Sequence, residues 1–170
     1  MDDFLNFKNK TILITGASAG IGFSTAVLLN SLGANLVLHA SKEESIEKLK
    51  TIFNSKQHLF IRADFSNPYD IESKFKETVL GIKFDGYVNC VGIRSRRPIN
   101  LIKPSHTNQI LTTNVTSFLE MVRLITKKKQ FNPGLSIVSI SSISSTVGGS
   151  GVTIYAASKA AIDAAIRCLA

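Results

Sequence analysis

Short apolar runs alternate with helical patterns along the whole chain, and this alternation restricts the possible folds more than any other feature. KTILIT (10–15) is an apolar, β-branched run followed by glycines and then GFSTAVLLNSLG, which has helical periodicity and stops at Gly33. NLVLHA reads as a second strand, and KEESIEKLKTIF as an amphipathic helix with Ile46, Leu49 and Phe53 on one side. HLFIRAD is a third strand, and Pro68 opens a helix through Ile71, Phe75 and Val79 towards Gly81. DGYVNCVG is a fourth strand, a helical stretch runs from about Pro104 to Lys129, and LSIVSIS (135–141) is a fifth strand. Such an order implies right-handed crossovers and a parallel sheet with helices on both faces. The expected class is α/β, a doubly wound three-layer α/β/α arrangement, in one domain over residues 1–170.

Composition narrows the function. The apolar fraction is 44%, an ordinary globular value. No run of eighteen apolar residues predicts a membrane span, and MDDFLNFKNK lacks the charge pattern of a secretory leader, so a cytoplasmic protein is expected. Cys90 and Cys168 cannot form a disulfide framework, and His39, His58 and His106 lie too far apart for ligand spacing, so no metal is expected. The histidines are read as solvated or loosely packed. The whole net charge of +8 falls in residues 86–170, where Glu120 and Asp163 are the only acids. An anionic partner suits that half. No nucleic-acid recognition module is visible, and KKK at 127–129 reads as the cationic end of a helix.

TGASAGIG (15–22) comes directly after the first strand and opens the first helix. Glycines at 16, 20 and 22 let the backbone turn and approach a pyrophosphate, while the helix N-terminus supplies free N–H groups. This predicts a dinucleotide site. An acid at the end of the second strand would bond a ribose 2′-hydroxyl and repel a 2′-phosphate. Here Ser41 and Lys42 hold that tip, with Glu43 and Glu44 already in the next helix. A hydroxyl and a cation suit NADP, with NAD as the alternative; the competing reading of Lys42 is a solvated helix-entry lysine.

Near the end of the chain, YAASK places Tyr155 and Lys159 one helical turn apart, on one face. A free phenol titrates at about 10. An ammonium about 4 Å away is worth roughly 4 kcal/mol at an effective dielectric of ~20, enough to shift that value by about three units before desolvation. On its own the pair reads as a surface pair; together with the glycine loop at this distance it reads as chemistry.

These motifs occur together. TGASAGIG, NCVG (89–92), Asn114 in TTNVTS, SISS (139–142) and YAASK share the order and approximate spacing of the short-chain dehydrogenases/reductases, and the chain resembles them from about Lys8 to its last residue. Within that family it looks most like the 3-oxoacyl-[acyl-carrier-protein] reductases. The resemblance implies a Rossmann-like fold and hydride transfer between NAD(P)(H) and a carbonyl or alcohol. It implies that Tyr155 gives the proton, that Lys159 also holds ribose hydroxyls, that Ser142 polarises the carbonyl, and that Asn114 completes a proton relay. Neighbouring serines leave the register at Ser142 open, and the alternative for Asn114 is a cap for VTSFLEMVR. For the cofactor it implies Gly16, Ser18, Gly20, Ile21, Gly22, Ser41, Lys42, Asp64, Phe65, Asn89 and Gly92, together with Tyr155 and Lys159. Asp64 corresponds to an adenine-contacting aspartate, with a turn acceptor as the alternative.

The chain departs from the family at several points. NCVG stands where NNAG is usual, Ser139 where relatives often carry asparagine, and Ala19 where NADP-preferring members often carry arginine. IRSRRPINLIKP (93–104) comes after the fourth strand, and its cations read either as a contact for an acyl carrier protein or phosphopantetheine, or as solvated charge. Relatives continue past the position of Ala170 with two further strands and a substrate-covering segment. The chain is expected to be C-terminally incomplete, with an uncovered face beside the fifth strand, doubtful homo-oligomer formation, and either a small-molecule carbonyl or acyl-thioester substrate or no turnover.

Overall fold

The computed structural model describes residues 5–79 and 81–170. Strands β1 (Thr11–Thr15), β2 (Asn35–Ala40), β3 (Leu59–Arg62), β4 (Phe84–Asn89) and β5 (Phe131–Ser139) form one sheet in the order β3-β2-β1-β4-β5. Every pairing is parallel. Helices α1 (Gly20–Ser31), α2 (Glu43–Ile52), α3 (Pro68–Val79), α4 (Pro104–Leu111), α5 (Ser117–Ile125) and α6 (Thr153–Leu169) connect or succeed the strands. The chain winds outward from β1 to β3 and then returns to lay β4 on the other side of β1. In open sheets of this kind a crevice forms at the strand C-termini where the winding reverses, here between β1 and β4.

The period of two in each strand feeds both faces. Leu13, Val37, Ile61 and Tyr87 join Phe75, Phe118 and Ile162 in one core beneath α3, α5 and α6. Ile12, Ile14, Leu36 and Leu38 join Ala26, Leu29, Ile46 and Leu49 in the other, beneath α1 and α2. Burial on both sides is why the strand segments read as nearly continuous apolar runs.

Three expectations about boundaries are corrected. β5 begins at Phe131 rather than residue 135, because Phe131 pairs with Phe84 and the register then shifts so that Gly86 meets Ser136. Pro133 and Gly134 sit in that irregularity, where a missing N–H and a positive φ of 83° are tolerated. The helix expected to run to Lys129 ends at Ile125, and KKK lies beyond it in a turn where Lys129 has φ 74°. That stretch is also not one regular helix: Thr112–Thr116 between α4 and α5 is a π-helical turn. The fourth strand stops at Asn89, leaving Cys90 and Val91 partly buried just past its end.

β5 is the outer strand on its side, with Val138 48% exposed. A groove beside it is lined by Thr25 and Leu29 of α1, by Val88, and by Val138 and Ile140, in keeping with the uncovered face expected there. No helix among the described residues is long and apolar enough to cross a membrane.

Candidate active site

The glycine loop occupies residues 16–19, between the end of β1 and the first residue of α1. Ala19 at the N-cap offers no side-chain bond and the first turn carries no acid, so the leading N–H groups of α1 remain free to meet an anion. The loop is held from below by a histidine. Gly16 N–H donates to His39 Nδ1 at 3.2 Å, and His39 Nε2–H donates to the Ala63 carbonyl at 3.0 Å. The ring stacks on Phe65 with centroids 3.9 Å apart. These bonds fix the neutral tautomer, and burial lowers the pKa to about 4.

His39 is therefore not solvated or loosely packed, as the sequence suggested, whereas His106 stays partly exposed at the start of α4. His58 is likewise buried, accepting from Leu36 N–H at Nδ1 and facing Asn30 Oδ1 at 2.8 Å through Nε2. A strand covered on both faces admits a polar side chain only when its hydrogen bonds are made, and that condition could have flagged His39 inside NLVLHA.

His39 has a consequence for stability. Its folded pKa of about 4 lies below the ordinary histidine value of 6.5, so between these values the unfolded chain binds a proton that the folded chain refuses. Its contribution is complete above about pH 6.5 and should fall by about 3 kcal/mol as pH drops towards 4. Urea denaturation at stepped pH should show this decline, and His39→Gln should flatten it.

Gly16, Ser18, Ser41, Asp64, Phe65 and Gly92 line one cleft, together with His39, Cys90, Gln109 and Thr113. The other residues expected at the cofactor lie around this cleft rather than in its wall. Gly20, Ile21 and Gly22 form the first turn of α1, with Ile21 58% exposed, and Lys42 is exposed at the N-cap of α2. Asn89 is buried below the cleft. It accepts from Thr15 Oγ1 at 2.9 Å and donates to Ser139 Oγ at 3.0 Å, linking β1, β4 and β5 through side chains. Because Thr15 donates to Asn89, the Tyr87 hydroxyl 3.3 Å away donates to Thr15. Asp64 Oδ1 accepts from the backbone N–H and the hydroxyl of Ser66, as a turn acceptor does. Glu43 pairs with Arg62 at 3.0 Å, so its charge beside Lys42 is compensated.

At the other end of the cleft, Lys159 Nζ lies 5.9 Å from the Tyr155 ring centroid and donates to the Ile140 carbonyl at 2.7 Å. Lys159 is buried, and desolvation lowers its pKa while the Asp163 carboxylate opposes that shift. A Cβ on Gly92 would stand 3.2 Å from Lys159 Nζ and 3.7 Å from Asn114 Oδ1. Glycine at that position lets the cleft wall approach the lysine and the asparagine together.

Asn114 sits inside the π turn, fully buried. Its Oδ1 accepts from Ile93 N–H at 2.8 Å, and its Nδ2 donates to the Ile93 carbonyl at 3.0 Å and to Ser158 Oγ at 2.9 Å. It is not a cap; it clamps the residue next after Gly92. π turns occur often at functional sites because the extra residue redirects a side chain. Ser142 Oγ accepts from Ser144 N–H at 3.1 Å. The neighbouring Ser141 instead bonds Asp163, which with Ser145 holds that carboxyl below its ordinary range. Arg94 is a residue the sequence had placed only in a basic loop: its guanidinium carbon lies 6.0 Å over the Tyr155 ring. Among the described residues, no three His, Cys, Asp or Glu side chains converge as metal ligands.

This arrangement matches a known family. The family model for short chain dehydrogenases matches residues 10–170. The chain belongs to the short chain dehydrogenase family. An uncharacterised oxidoreductase of Listeria monocytogenes, Lmo0432, is 32% identical over 164 residues, covering 93% of this chain and 65% of that protein. The 3-oxoacyl-[acyl-carrier-protein] reductase FabG of Escherichia coli is 27% identical, covering 98% of this chain and 68% of its own length. The chain thus spans about two thirds of the length of these family members. A solved structure described as a short chain dehydrogenase from Shigella flexneri, complexed with NADP, superposes with a TM-score of 0.86 at 22% identity, over 96% of this chain and 71% of that one. That likeness shows the family fold, a parallel sheet flanked by helices.

Proposed function

We propose that this chain carries the cofactor-binding and proton-transferring part of an NADP(H)-dependent carbonyl reductase. The observation that carries the reading is that one cleft runs from the uncapped N-terminus of α1 to Gly92, where Lys159 and Asn114 approach it and the Tyr155 ring stands 5.9 Å from the lysine. The residues present fit a dinucleotide: the Gly16–Ala19 turn and free N–H groups suit a pyrophosphate, Phe65 and Asp64 an adenine, and Ser41 with Lys42 a 2′-phosphate. When bound, the nicotinamide supplies the hydride.

The chain's own groups do the rest. Ser142 Oγ donates to the carbonyl oxygen and draws off its charge. Tyr155 Oη gives its proton to the same oxygen as the negative charge develops. The Lys159 ammonium then faces the phenolate so formed. Asn114 holds the Ile93 segment in place and, like Lys159, approaches the cleft at Gly92, a position from which a water-linked proton path to the lysine would start. The Arg62–Glu43 pair supports NADP over NAD, because it neutralises one of the two acids that follow Lys42.

The first substrate to test is a 3-oxoacyl thioester, the class reduced by FabG. Loss of NADPH absorbance with acetoacetyl-N-acetylcysteamine, and none without it, is the expected result. A second reading, a nucleotide-binding chain without turnover, draws support from the exposed Val138 on the outer strand β5. NADPH binding with no oxidation across thioester, ketone and oxo-acid substrates would favour it.

A further inference from the structure

The basic loop after β4 is not free surface. Ile93 is gripped on both its N–H and its carbonyl by Asn114, at 2.8 and 3.0 Å. Arg97 N–H donates to the Gly151 carbonyl at 2.8 Å, and a Cβ on Gly151 would meet Arg96 Cγ at 3.1 Å. The segment between these two anchors is therefore fixed to the loop that leads into α6, and it carries Arg94 over the face of Tyr155 at 6.0 Å. A guanidinium over a ring face keeps its planar fork of donors available for a two-oxygen acceptor.

Nothing among the described residues pairs with that fork. Arg94 is exposed and makes no ion pair there; the same holds for Arg96 and Arg97. The two acids of this half of the chain are engaged elsewhere, Glu120 with Arg123 and Asp163 with Ser141. The potential at this mouth is therefore positive, with one cation held beside the residue that gives the proton.

We propose that Arg94 is a specificity-determining residue that binds a carboxylate on the substrate itself, so that the preferred substrate is a short oxo acid rather than a neutral ketone or thioester. The proposal rests on the reductase reading above. A carboxylate oxygen bonded to the guanidinium lies about 4 Å from its central carbon, given a charge-assisted bond of about 2.8 Å. With that carbon 6.0 Å from the Tyr155 centroid, the acid group and the reacting carbonyl belong to the same short molecule. The phosphate of a pantetheine arm sits far down a long chain from its 3-oxo group and does not meet this geometry. Arg96 and Arg97 add to the field that draws the anion in.

The test compares acetoacetate with methyl acetoacetate, which keep the same ketone and differ in the charge, by titration calorimetry on the full chain saturated with NADP+. Acetoacetate is expected to bind at least about tenfold tighter than the ester. Arg94→Gln should erase that difference while leaving ester and NADP+ binding unchanged, and Arg94→Lys should retain part of it. Equal binding of acid and ester by the unaltered chain overturns the proposal, as does a preference that survives Arg94→Gln. So does binding of neither compound by a chain that holds NADP+. A chain that fails to bind NADP+ overturns the cofactor reading beneath it, and the inference falls with it. Tighter binding of acetoacetyl coenzyme A than of acetoacetate, lost in the Arg96 and Arg97 variants and not in Arg94→Gln, would instead assign the loop to a distant phosphate and overturn the assignment.

Discussion

Replacing Tyr155 by Phe should lower NADPH-dependent carbonyl reduction by about a thousandfold while leaving NADPH affinity within about twofold. The substitution keeps the ring, and with it the approach of Arg94 at 6.0 Å and of Lys159 at 5.9 Å. It removes only the hydroxyl. The cleft from Gly16 to Gly92 is unchanged, so cofactor binding measured by fluorescence of bound NADPH should persist. Carbonyl reduction needs a proton on the nascent alkoxide, and a positioned donor accounts for a factor of about 10² to 10⁴. If turnover in the variant equals that of the unaltered chain, Tyr155 has no part in the mechanism.

The second large effect falls on stability. Gly22→Ala should cost about 3 kcal/mol, seen as a lower midpoint in urea. Gly22 is buried in the first turn of α1, and a Cβ there would overlap the Gly16 carbonyl and lie 3.1 Å from Cys90 Cβ. Neither the carbonyl nor the loop behind it can withdraw, because Gly16 N–H is bonded to His39 and a Cβ at Gly16 would itself stand 3.0 Å from the Cys90 carbonyl. Helix α1 would have to lift from the sheet. Gly20→Ala provides the contrast: nothing lies within 4 Å of its Cβ, so it should cost only the strain of a φ of 56°, about 1 kcal/mol. Equal midpoints for the two variants would show that close approach is not what keeps glycine at position 22.

Tyr155 and Gly22 both belong to motifs visible along the chain. The apolar runs of β1, β2 and β4 and the periodic Ile46, Leu49 and Phe53 were legible because strand and helix periods are local properties of neighbouring residues. The glycine loop was legible because a short turn from strand into helix demands glycine wherever it occurs. The pairing of Tyr155 with Lys159 was legible because four residues make one turn.

What the sequence misjudged depends on residues far apart along it. His39 looks solvated until β2 is buried on both faces and the Gly16 N–H arrives from beyond another strand at 3.2 Å. The alternative of Asn114 as a cap is removed only when the π turn brings it to the Ile93 backbone, 21 residues away. Ser141 and Ser142 are indistinguishable until Asp163 bonds to the first.

The sequence by itself determined the parallel α/β sheet, the glycine turn between β1 and α1 and the one-turn spacing of Tyr155 and Lys159, since each arises from short-range periodicity and backbone sterics. Tertiary structure alone decided that His39 is neutral under the loop, that Asn114 is a clamp, and that Arg94 stands over Tyr155. Those outcomes depend on the hydrogen-bond demands of buried groups and on the approach of distant segments, which arise only when the layers close.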